Sequence, residues 1–147
     1  MRTRIEPLRE VAMLRGLQEQ AAAAAAGQAA RETAAARRQL GRSGARLDGM
    51  RDAWQAALDE SGDFDAGRRW SAAWHRQAGE HAACRERLDA ASVAEDARRG
   101  DWARAIALQD MAAAAHKAAE AARMAARDEA AMQEASERHL TQRRIGR

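Results

Sequence analysis

The sequence predicts an all-α protein, a long two-helix antiparallel coiled-coil hairpin whose C-terminal helix is the longer one and overhangs its partner. Three observations carry this. Ala, Arg, Glu and Gln, all strong helix formers, dominate the 147 residues, and the one proline stands at position 7. Larger side chains recur at coiled-coil spacing in two stretches, Leu40, Leu47 and Trp54 in the first and Trp70 through Trp102 in the second. Between them Asp59-Glu60-Ser61-Gly62-Asp63-Phe64-Asp65-Ala66-Gly67 breaks the periodicity with acids, a serine and two glycines, and glycine adopts the positive φ of a reversal without a Cβ clash. Strands need β-branched and aromatic runs, yet Val occurs twice, Ile three times and Tyr never.

The length fits one domain over residues 1–147: helix 1 at about 4–58, a bend at 59–66, helix 2 at about 67–140 and a basic tail to 147. Hydrophobic residues make up 46%, but 42 of them are Ala, and Leu, Ile, Val and Phe together number only 15. So little bulky apolar volume cannot fill a globular core, and long thin helices are what it permits. Basic residues exceed acidic ones by 25 to 22, with both signs interleaved, which reads as solvated helix faces. Only the stretch 138–147, with Arg138, Arg143, Arg144 and Arg147, is one-sided. Cys84 is the single cysteine and falls on an apolar stripe, as a small buried hydrophobe in a reducing compartment would. No apolar run opens the chain as a secretion signal would, and Ala21 to Ala26 is far short of the roughly 20 residues of a membrane span. The expected location is cytoplasmic, peripheral to the inner membrane only through partners.

In helix 1, Thr3 is a candidate N-cap, Glu6 its capping-box partner, and Pro7 lies in the first turn where its missing N–H costs least. Ile5, Leu8, Val11, Leu14 and Leu17 follow at steps of three. That spacing drifts around a 3.6-residue helix and makes a broad apolar patch edged by Arg4, Arg9, Glu10, Arg15 and Glu19. Such a patch either packs on the end of the other arm or docks a partner. From Ala21 to Ala36 the side chains shrink to methyl groups, so helices can approach closely while each contact buries little area. Gly41 and Gly44 form the weakest point, but Leu40, Leu47 and Trp54 keep their phase across it, with Ser43, Met50 and Ala57 at the alternate steps.

In helix 2, Asp65 is the candidate N-cap, and Arg68-Arg69 in a first turn would oppose the helix dipole. The stripe then runs Trp70, Trp74, Gln77, His81, Cys84, Leu88, Ala91, Glu95, Arg98 and Trp102. Pairing about a centre near 62 sets Trp54 against Trp70, Leu47 near Gln77, and Trp102 over the alanine run at 21–26. Beyond Trp102 the larger residues Leu108 and Met111 lead a stripe in a different phase, through Ala115, Ala118, Ala122 and Ala125 to Met132 and Leu140. Gly100 offers a place for the change. Residues 121–147 then have no partner inside the chain.

Little in the chain suggests reaction chemistry. His75, His81, His116 and His139 are too scattered along such helices to share a metal, and no His-Glu-x-x-His, cysteine pair or phosphate loop occurs. A two-helix scaffold lacks a water-excluding concavity. We expect a non-enzyme without cofactor, metal or small-molecule substrate. The tryptophans could serve as a nucleic-acid stacking set, but Trp70, Trp74 and Trp102 are all placed in the seam.

The pattern Ile5-x-x-Leu8-Arg9-x-Val11-x-x-Leu14-Arg15-x-Leu17-x-Glu19-x-x-Ala22, the Arg69-Trp70 pair after the bend and the Gln- and Arg-rich run from Gln133 to Arg144 resemble the FliJ/YscO family. Members are central stalk proteins of type III protein export systems in flagella and injectisomes. This chain differs in lacking an early phenylalanine and in its alanine content. The resemblance implies an antiparallel coiled coil whose terminal end enters the pore of the hexameric export ATPase and whose second helix, just past the bend, meets the cytoplasmic domain of the export gate. The resemblance also implies export chaperones as candidate further partners. Carried over, Leu14, Leu17, Arg138, Arg143 and Arg144 would serve the ATPase end, and Trp70 and Trp74 the gate. Two other classes remain open from the residues alone, a self-associating coiled-coil adaptor and a basic helical nucleic-acid-associated protein.

Overall fold

The computed structural model describes residues 5–61 and 64–145, leaving aside the side chains of 61, 64, 65 and 145. The described residues form two helices and no strand: α1, Ile5–Ser61, and α2, Phe64–Ile145. Thr33 of α1 bonds to Ala91 of α2, and Ser43 to Gln77, so α2 numbers fall as α1 numbers rise. The helices are therefore packed antiparallel, as a hairpin.

The helix ends differ from those predicted. α1 continues three residues past 58, through Ser61, and α2 begins at Phe64 and runs to Ile145, so 59–61 and 64–66 of the expected 59–66 bend are helical, and the remaining two positions lie outside the described residues. Asp59, Glu60, Ala66 and Gly67 are all compatible with helical φ and ψ, and continuing a helix already nucleated adds a hydrogen bond per residue fixed. Asp65 is consequently the second residue of α2 and not its N-cap. Arg68 and Arg69 lie beyond the first turn, where the dipole conflict fades. The predicted Thr3 N-cap and the tail beyond Ile145 lie outside the described residues. α1 passes unbroken through Gly41, Gly44 and Gly49.

The local contacts divide into two units, one formed by Ala22–Trp102 and the other by the chain up to Ala21 together with the chain from Ala103 onward. In the Ala22–Trp102 unit, the covered side of α1 runs Ala26, Ala29, Thr33, Ala36, Leu40, Ser43, Leu47 and Met50, at alternating steps of three and four. Facing it on α2 are Trp70, Trp74, Gln77, His81, Cys84, Leu88, Ala91 and Glu95, the predicted stripe. The most covered residues are small: Ala26, Ala29, Thr33, Ser43 and Cys84. The helices come close enough that the Thr33 hydroxyl lies 3.1 Å from both Ala29 O and Ala91 O, able to donate to either. Gln77 Nε2 donates to Ser43 Oγ at 3.2 Å, one turn from the predicted Leu47 level. Arg98 departs from the predicted stripe and is exposed, pairing with Asp101 at 3.6 Å.

In the other unit, two expectations are corrected. On α2 the half-buried positions are Ala105, Gln109, Ala112, His116 and Ala119, which continue the seven-residue arithmetic of the Trp70 stripe without a phase change, while Leu108 and Met111 are exposed. On α1 the half-buried set is Ile5, Leu8, Ala12, Arg15, Gly16 and Glu19. Arg15 and Glu19, predicted as the edge of an apolar patch, thus sit on the covered side, and Val11, Leu14 and Leu17 turn away from it. A Cβ added at Gly16 would stand 3.8 Å from Gln109 Nε2, an ordinary contact. Every described side chain from 121 to 144 is exposed. No helix among the described residues is long and apolar enough to cross a membrane.

The C-terminal turn of α1 carries Asp59 and Glu60 and no basic residue, so like charges meet the negative end of the dipole. Substituting Lys at either position is expected to raise stability by about 0.3–1 kcal/mol at low ionic strength. The gain should shrink in high salt when unfolding is followed by circular dichroism.

Candidate functional site

Three surfaces stand out, one in the Ala22–Trp102 unit and two in the other. In the Ala22–Trp102 unit, Met50, Arg51, Trp54, Trp70, Ser71 and Trp74 line an apolar recess of about 350 Å³. It forms because Met50 and Trp54 on α1 and Trp70 and Trp74 on α2 occupy successive seam positions, where four large side chains cannot mesh as the small ones do. The seam opens instead, and Trp54 is left 41% exposed. Arg51 at its edge is held by Asp48 at 3.4 Å and Asp52 at 3.7 Å, both pairs well exposed and worth little to stability. An apolar floor with a cation at the rim suits an apolar or aromatic side chain from a partner.

Of the residues assigned to the gate by resemblance, Trp70 and Trp74 are half-buried and both line this recess. Met50, Arg51, Trp54 and Ser71 also line it and carry no role in that assignment, although the sequence already sets Trp54 against Trp70. A signal was present: Trp54 continues the Leu40 and Leu47 repeat, so it had to meet Trp70 and Trp74 where the partner offers no small residue. The placement of Trp70, Trp74 and Trp102 all in the seam also needs correction, since Trp102 is exposed, as is Trp54.

In the other unit, Leu14 and Leu17 are 54% and 56% exposed, flanked by exposed Val11 and Met13. Arg138 bonds Glu134 at 3.2 Å, and Arg143 and Arg144 fall in the last turn of α2, where cations suit the dipole. These two groups are not brought together. Gly16 lies level with Gln109, and Arg138 is a further 43 Å or about that along α2 at 1.5 Å per residue. The residues that the resemblance assigns to an ATPase form two separate patches, an apolar one on α1 and a charged one on the free part of α2.

Among the described residues no group of three His, Cys, Asp or Glu converges as metal ligands would. His81 Nδ1 and His116 Nε2 are buried without a hydrogen-bond partner, and Glu120 stands 3.6 Å from the latter, past hydrogen-bond length. Both histidines occupy seam positions, where an imidazole fills the space of a medium-sized apolar side chain. Cys84 is buried and free, with Arg87 Nη1 at 4.0 Å from its sulfur. Comparisons with protein-family models, with curated proteins and with solved structures each returned no match, so the functional reading rests on these surfaces and on the sequence pattern.

Proposed function

We propose that this chain is a non-enzymatic coupling stalk of a type III export system, linking the hexameric export ATPase to the cytoplasmic domain of the membrane export gate. It works in the cytoplasm, with export chaperones as additional partners, and handles no small-molecule substrate and no nucleic acid. The observation that carries the reading is the continuous helix from 121 to 144 with every described side chain exposed. A helix of that length with nothing to cover it is suited to occupy a ring or clamp supplied by another protein. The exposed Leu14 and Leu17 add an apolar contact, and the aromatic recess supplies a separate surface for the second partner. The sequence pattern through Ala22 and the Arg69-Trp70 pair give the reading its specific system.

The test is a pull-down with the export ATPase encoded in the same genome, using the full chain and a form lacking residues 125–147. Removal of that segment should weaken capture at least about tenfold, roughly 1.4 kcal/mol. Trp54→Ala should leave ATPase capture unchanged while weakening binding of the gate domain. Equal ATPase binding by the full and shortened forms would refute the assignment of this end.

A further inference from the structure

We infer that the uncovered end of α2 pairs with the same segment of a second copy, antiparallel, about a two-fold axis through Ser136. Glu129, Met132, Ser136, Leu140 and Arg143 follow one another at steps of three, four, four and three. At 100° per residue all five lie within about 40° of Ser136, on one side of the helix. The order of residue types along that side reverses in sign about its centre: an acid, an apolar residue, a small residue, an apolar residue, a base. Turned end for end on a second copy, Glu129 meets Arg143, Met132 meets Leu140, and Ser136 meets Ser136.

This symmetry selects the geometry. A parallel pair in register would set Glu129 against Glu129 and Arg143 against Arg143, which is repulsive at both ends, so only the antiparallel arrangement satisfies all of these charges. The isologous contact closes on itself as a dimer and does not propagate. The local structure agrees with the assignment. All five side chains are exposed, and among the described residues no ion pair engages Glu129 or Arg143. Outside the interface, Arg138 pairs with Glu134 at 3.2 Å on the opposite side of the helix. Ser136 at the centre already donates its hydroxyl to Gln133 O at 2.8 Å, so burying it leaves no unsatisfied donor. The segment from 128 to 144 spans only about 25 Å and has two apolar residues per copy, so the dimer is reversible and salt-sensitive. The dimer uses the same segment, Arg143 included, that the export reading gives to the ATPase, so one copy makes one contact or the other; the dimer is measured on the chain alone and holds or fails without that reading.

The experiment uses the full chain in analytical ultracentrifugation over a range of concentrations and at two ionic strengths, with circular dichroism confirming helicity of every variant. The wild type should show a monomer–dimer equilibrium that weakens with salt. Arg143→Glu, which turns both Glu–Arg contacts into Glu–Glu contacts, should weaken it at least about tenfold, and adding Glu129→Arg to the same chain should restore it. Ser136→Cys should be joined across the axis by a short bis-maleimide, since Cys84 is buried and stays out of the reaction. A chain monomeric at all concentrations overturns the proposal. So does a dimer indifferent to Arg143→Glu, a double variant no better than the single one, or a dimer that does not crosslink through position 136.

Discussion

Replacing Gly41, Gly49 and Gly79 together by alanine is expected to raise the free energy of unfolding by about 2–3 kcal/mol, close to 1 kcal/mol per site. All three lie inside helices, all are exposed, and a Cβ added at any of them meets nothing within 4 Å. The gain comes from the unfolded chain, which loses conformational freedom, and from covering backbone that water now reaches. Denaturant unfolding monitored at 222 nm measures it. The midpoint should rise with the slope unchanged, because the surface exposed on unfolding is nearly the same. Gly44→Ala is a useful fourth variant, since its Cβ would stand 3.5 Å from His81 Cε1, within ordinary contact. A triple variant no more stable than the wild type would mean that these turns are not helical in solution.

The second large effect is expected at Thr33, the most covered of the described residues, at 2% exposure. Thr33→Val keeps the shape and removes the hydroxyl shared with Ala29 O and Ala91 O, at a cost of about 0.5–1.5 kcal/mol. Thr33→Leu adds volume between two backbones held at that distance, and the overpacking should bring the total to about 2–4 kcal/mol. The same denaturant measurement separates the two contributions. If leucine proved less costly than valine, the helices would be further apart at this level than the 3.1 Å bond requires.

The sequence made some of this legible and concealed the rest, for physical reasons that particular residues show. Leu40, Leu47, Trp70, Trp74 and Leu88 are large residues among small ones at coiled-coil spacing, so they disclosed the seam, the fold-back and the pairing level. The same logic failed where size and burial part company. Leu108 and Met111 are larger than Ala105 and Ala112, which drew the expected stripe outward, yet it is the alanines that are covered. In a chain with this much alanine, bulk is a poor marker of the inside, because a close helix pair prefers methyl groups there. At the other end, Ile5, Leu8, Val11, Leu14 and Leu17 suggested one broad face, whereas extending the steps of three and four back from Ala22 through Glu19, Arg15 and Ala12 marks the covered side. The long free segment of α2 followed from helix lengths alone. The recess at Trp54 did not, since a periodicity says which residues meet and not whether their volumes fit.

The smallness of the covered residues in the Ala22–Trp102 unit has a mechanical consequence. Ala26, Ala29, Thr33, Ser43 and Ala91 make shallow sockets, so sliding one helix past the other along its length meets little steric corrugation. A displaced Thr33 hydroxyl can find another carbonyl at each new position, which leaves the Gln77–Ser43 bond, the seam leucines Leu40, Leu47 and Leu88 and the four large residues of the recess as the main latches against creep. Prising the helices apart, by contrast, uncovers every close methyl contact at once. This portion of the hairpin is therefore compliant to axial shear and stiff to lateral opening.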